Sequence, residues 1–259
     1  MEDEYRATRQ KYGILDEDCY NMDQTGCRIG VGRARQVITT STSNPLIADP
    51  DNREYITVVK CISGSGWAIE PMVILSQKVL RDRDIVTELT DDTILGCSTS
   101  GYINDNLCLR WLRHFDVMTR HRCLGTFRLL LFNGYGSHLL FLFIDYCWKN
   151  GIIPLCLPAY ITHLMQPLNV RCFQPWKHYH SEAINQVIRT GVRSFKKVDF
   201  LAALAGVRKA TFKESTVKSA WRATGLIPYN PQVVLDQLQQ IKEKANRRAG
   251  IPTRPSTPD

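Results

Sequence analysis

The plainest pattern along the chain is a series of short apolar runs separated by polar corners. Two β-branched runs, 55–62 and 69–75, flank the turn "SGSGW" and read as a hairpin. Ahead of them, "DCYNMDQTGCRIG" reads as a strand with a turn at Gly26. Residues 80–103 read as an irregular connection. In "NDNLCLRWLRHFDVMT" the residues Leu107, Trp111, Phe115 and Met118 fall at helical spacing, with Asn104 or Asp105 as the cap. "FRLLLF" and "IIPLCLP" read as buried strands. Between them Ser137 caps a helix over "HLLFLFIDYCWKN" that stops at Gly151. A loop beginning at Thr162 leads into a long helix that ends at Gly191. Asp199 is expected to cap the helix "DFLAALAGVRKATF", and Gly225 and Pro228 to close "STVKSAWRATGL".

Strand, hairpin, helix, strand, helix, strand and then helices make an α/β plan: a mixed sheet flanked by helices, with a helical C-terminal extension. The expected divisions are a lead-in or frayed helix over 1–18, a domain over 19–235, and a basic, Pro-containing tail over 236–259 with no apolar period, expected to be disordered. Polar residues stand at strand ends or in their loops: Asp23, Asn133 and the stretch Thr162 to Asn169. In such sheets a site lies beyond the strand ends.

Composition sharpens this picture in two places. The net charge of +8 is uneven: residues 171–259 hold 16 Lys and Arg against 6 Asp and Glu. A basic C-terminal third suits a polyanion partner, or is a solvated surface. Nine cysteines stand singly with no C-x-x-C pair, which argues against a zinc knuckle and for free thiols in a reducing compartment. The longest apolar run contains Asp145 and is too short to cross a bilayer, so a soluble intracellular protein is expected.

The blocks "YNMDQTG", "RLLLFNGYGSH" and "LPAYITHLMQPLNVRCFQPWK" resemble the signature blocks of the DDE-superfamily endonuclease domain. The resemblance is nearest to the pogo/Tigger-like transposases, the group related to centromere protein B and the Jerky-like proteins. "GYINDNLCLRWLRHFD" and "SAWRATGLIPYNP" are similar to two further family blocks, so the likeness runs from about residue 10 to about 240. It implies an RNase H-like fold, a nuclear location, DNA as the partner and Mg²⁺ as the cofactor. It also implies three carboxylates holding two metal ions, which clamp the attacking water and the leaving oxygen of a phosphodiester. Carried over by position, the first acid is Asp23, but the second position is Asn133 and the third is Asn169. Gln24 stands where the family has Glu, Tyr135 and Tyr160 where it has His, and Arg171 where it has Gly. All of these except Gln24 are one C-to-T or G-to-A change from the family residue, the bias that cytosine deamination leaves in a silenced transposon. Asp23 alone is left as a metal ligand, and Asp145 is not aimed at the site by its spacing.

The expected function is therefore a transposase-derived domain that binds DNA weakly and without sequence preference, and lacks nuclease activity. Candidate DNA contacts are His138, His163, Lys196, Lys197, Arg208 and Lys209. Residues 1–18 leave no room for a helix-turn-helix module, so sequence-specific recognition is not expected. The alternatives are an active Mg²⁺-dependent endonuclease or strand-transferase, a protein-interaction scaffold, and a decaying remnant. "HYH" at 178–180 is expected at the surface, and the five tryptophans in the core.

Overall fold

The computed structural model describes residues 2–29, 55–84, 88–133, 140–158, 161–190 and 195–248. Expectations for Gly134, Tyr135, Ser137, His138, Tyr160, Gly191 and residues 249–259 lie outside the described residues.

Six strands form one sheet: β1 (Cys19–Arg28), β2 (Tyr55–Ser63), β3 (Met72–Ser76), β4 (Ile94–Ser98), β5 (Arg128–Asn133) and β6 (Ile152–Leu157). Their order across the sheet is β4-β3-β2-β1-β5-β6. β1, β2 and β3 are antiparallel neighbours, while β5 and β6 run parallel to β1. This is the RNase H-like arrangement, with β4 added in parallel along the outer edge of β3. The hairpin stands where the periodicity puts it, although its ladder is regular only from Met72. β4 corrects the expectation of an irregular connection. Its five residues include Gly96, where a Cβ would come within 2.8 Å of the Leu107 side chain. So short a strand with a glycine at its centre carries little local signal; the open edge of β3 supplies its partner.

Helices cover both faces. α2 (Asp105–Arg120) and α3 (Leu140–Lys149) pack one face, burying Trp111, Phe115, Phe143 and Cys147 against Tyr20, Met22, Met72 and Leu130. Asn104 caps α2 by accepting from Leu107 N–H at 3.0 Å. The opposite face takes α1 (Glu2–Tyr12), α4 (Thr162–Met165), a wide π-type turn Leu168–Cys172, α5 (Phe173–Arg189), α6 (Lys197–Thr211) and α7 (Glu214–Ala223). In α6 the cap position is Lys196. Asp199 sits one turn inside and accepts from Lys196 N–H at 2.7 Å, so it secures the cap backbone from within the helix instead of capping it.

Both chain ends depart from expectation. α1 is anchored by Tyr5, which is 1% exposed and donates to Leu226 C=O at 3.3 Å. α8 (Gln232–Arg248) is helical well into the stretch expected to be disordered. Its first turn is held by burial of Val234 in the same core cluster as Tyr5 and Trp221. His180, expected at the surface, is buried against Phe195 and Phe200. Trp111, Trp176 and Trp221 are fully buried, whereas Trp148 is half exposed.

Candidate functional site

Along β1 the odd-numbered residues Cys19, Asn21, Asp23 and Cys27 face α1, α4 and α5, while Tyr20 and Met22 face α2. This period of two puts Asn21 and Asp23 on one side. Asp23 lies in the middle of β1, not at its end, and is buried. β5 ends at Asn133. The β1–β5 ladder pairs Asn21 with Leu131. Asn133 stands two residues beyond the last β5 residue paired with β1 and has the parity of Leu131, which puts it on the same face of the sheet as Asp23.

The third position arrives from the other side of the cluster. Asn21 Oδ1 accepts from Leu168 N–H at 3.0 Å, and Asn21 Nδ2 donates to Leu131 C=O at 3.3 Å. One fully buried amide thus joins β1, β5 and the π-type turn. Gln166, also fully buried, donates to Met22 C=O at 3.1 Å and accepts from Asn169 Nδ2 at 2.9 Å. The Asp23 carboxylate accepts from Gln24 N–H at 2.8 Å, and the Gln166 and Asn169 side-chain amides lie near it. Burial pushes the Asp23 carboxyl up to about 6, against the opposing pull of the Gln24 N–H and the two neighbouring amides. Asn169 is exposed at the rim. Asp23 and Asn169 therefore meet at one seam, and Asn133, at the end of β5, shares the face of the sheet that carries it. On the opposite face of β1, Gln24 Oε1 is buried without a hydrogen-bond partner.

Lys60 lies opposite Asp23 in the β1–β2 ladder, but its amine is turned toward the rings of Trp176 and Phe212. Its Nζ is buried without a hydrogen-bond partner, and burial pulls its pKa well below the usual lysine range. Of the basic and histidine candidates, His163 is exposed on α4. Lys197 reaches Gln77, beyond the end of β3 and two strands from β1. Arg208 is held by Glu70 at 2.9 Å and by Ala68 C=O at 2.5 Å, and is an internal ion pair. Lys196 and Lys209 are exposed on α6 or at its start. Asp145 pairs with Lys149 on α3.

Asn21, Gln166 and Lys60 are not picked out by reading the sequence for strand-end acids and basic runs. Each left one trace. Asn21 has the same parity as Asp23, Gln166 stands three residues before Asn169, and Lys60 interrupts a β-branched run.

Residues 52–221 match the DDE superfamily endonuclease family, and the chain belongs to it. The matched span holds Asn133 and Asn169 but not Asp23. A curated relative, the MFS-type transporter clz9 of Cochliobolus lunatus, is 32% identical over 232 residues, covering 89% of this chain and 25% of that protein. The chain thus spans a quarter of that relative's length. No described helix is long and apolar enough to cross a membrane. Solved structures with a similar course include the Mos1 mariner paired end complex with Mn, at 10% identity and TM-score 0.47 over 88% of this chain and 61% of that one. The catalytic domain of Mos1 mariner transposase gives 10% identity and TM-score 0.40, over 85% of this chain and 90% of that one. The fold is read from strand order, not from these likenesses.

Proposed function

We propose that the chain is a transposase-derived domain that binds the nucleic-acid backbone and does not cleave it. The observation that carries this reading is the donor set at the three family positions: one carboxylate, Asp23, and two neutral amides, Asn133 and Asn169. Two divalent ions a few ångströms apart repel each other and need charged oxygen ligands around them. One carboxylate with two amides does not fit a pair of Mg²⁺ ions. The Asp23 carboxylate instead accepts from Gln24 N–H, with the Gln166 and Asn169 amides beside it. Among the described residues, no group of three His, Cys, Asp or Glu could hold a metal.

Membership of an endonuclease family supports a nucleic-acid partner, and the +10 charge of residues 171–259 supports contact through phosphates. That partner suits a nuclear role. The test is paired. Supercoiled plasmid is incubated with fresh protein in Mg²⁺ or Mn²⁺, and duplexes of unrelated sequence are titrated at rising salt. No nicking is expected, with similar affinity for each duplex and a steep loss of affinity with salt. Nicking that disappears in Asp23→Ala would overturn the reading, as would strong preference for one duplex.

A further inference from the structure

We infer that the cleft between the π-type turn and α7 is a phosphate site for duplex DNA that works without a metal ion. This rests on the nucleic-acid reading above and gives it a location. The cleft has a volume of about 380 Å³. One wall carries Arg171 and Gln174, and the other carries Ser215, Thr216 and Ser219 on α7. No carboxylate lines it. Arg171 is exposed and makes no ion pair with any described residue. A guanidinium, a side-chain amide and three hydroxyls around an open cleft match a phosphodiester, which presents one negative charge and several acceptor oxygens.

The position of this cleft links it to the altered seam. Val170 and Arg171 follow Asn169 within the same turn, so the cleft and the Asp23 cluster lie on two sides of one short helical turn. Carboxylates at 133 and 169 would repel a phosphate in the cleft unless cations stood between them. Amides at both positions leave Asp23 as the one acid of the three, and Arg171 adds a positive charge at the rim. The substitutions that spoil a two-metal site therefore make metal-free backbone binding favourable here. The basic residues singled out from sequence on α6 do not serve this cleft: Lys197 is directed to Gln77, and Arg208 to Glu70.

The test uses the full chain and a fluorescent 20-base-pair duplex of arbitrary sequence, with anisotropy read at low salt in EDTA. The wild-type protein is expected to bind, and adding Mg²⁺ should change Kd by less than about threefold beyond the ionic-strength effect. Arg171→Glu should raise Kd by tenfold or more and flatten the salt dependence by about one phosphate contact. Arg171→Lys should stay within about threefold of wild type. Asn169→Asp should weaken binding in EDTA severalfold. Lys196→Glu, outside the cleft, should have a smaller effect than Arg171→Glu. Because Arg171 is exposed, thermal melts of its variants should coincide with wild type. Binding that survives Arg171→Glu within twofold overturns the cleft while leaving the nucleic-acid reading intact. Absence of any binding by the wild-type chain overturns the nucleic-acid reading itself.

Discussion

Asn21 and Leu168 are 147 residues apart in the chain, yet the Leu168 N–H donates to Asn21 Oδ1 at 3.0 Å inside the core. The other end of the same amide holds Leu131 C=O, so Asn21 ties together the three segments that carry Asp23, Asn133 and Asn169.

Removing that amide should be felt as stability. Asn21→Ala leaves a buried N–H and a buried C=O without their partner, each worth about 1–3 kcal/mol. Urea unfolding is expected to show a loss of about 2–4 kcal/mol, more than an exposed substitution such as Gln232→Ala produces. A change under about 0.5 kcal/mol would show that the seam is held by other contacts.

Asp23 gives a pH signature. Its carboxyl titrates at about 6 in the fold and at about 3.9 when unfolded. As pH falls, the native state takes up the proton first. The resulting stabilisation is fully present below about pH 4 and is lost as pH rises through about 6. Asp23→Asn cannot ionise, so relative to wild type it should gain stability at pH 7–8, by about 1–3 kcal/mol, and gain nothing near pH 4. Paired denaturant melts from pH 4 to 8 check the sign, and a gain independent of pH would contradict it.

A buried ion pair sets the start of β5. Arg128 Nη2 donates to Asp116 Oδ1 at 2.8 Å and to Asn150 C=O at 2.6 Å, and Arg128 Nη1 donates to Thr119 Oγ1 at 2.8 Å. Both charged side chains are almost fully buried. Arg128→Met strands the Asp116 carboxylate with only the exposed Arg120 and Tyr146 as partners. The expected loss is about 3–5 kcal/mol, and Asp116→Asn combined with Arg128→Met should recover part of it. Additive losses in that double-mutant cycle would mean the pair is uncoupled.

Restoring acids should restore metal affinity before it restores chemistry. Asn133→Asp together with Asn169→Asp gives three carboxylates at the seam, and isothermal titration is expected to show Mn²⁺ binding that neither single change matches. Plasmid nicking need not return, because Arg171 adds a positive charge beside the site. Because Asn133 precedes Gly134, fresh protein should be checked by mass spectrometry for deamidation of that peptide. Equal Mn²⁺ affinity in wild type and double variant would count against the charge argument.

Local pattern was enough for most elements and for their faces. The spacing of Leu107, Trp111 and Phe115 specified α2, and Asn104 its start. The β-branched runs specified β2 and β3. Alternation along β1 put Asp23 and Asn21 on one side, and the signature blocks named the three seam positions. Period and capping are properties of neighbouring residues, so a single stretch of chain contains them. What lay beyond local reach were the pairings. β4 exists because β3 has an open edge, and Tyr5 and Val234 are buried because Trp221 and Leu226 offer them a shared core. The same holds for Asn21 and Gln166, ordinary polar residues until β5 and the π-type turn are brought against β1. It holds for Lys60 as well, whose amine is buried beneath Trp176 and pulled below the usual lysine range. The contacts of Tyr5, Asn21, Gln166 and Lys60 join segments more than a hundred residues apart, and their energies come from burial and from hydrogen bonds that form only once the sheet has assembled.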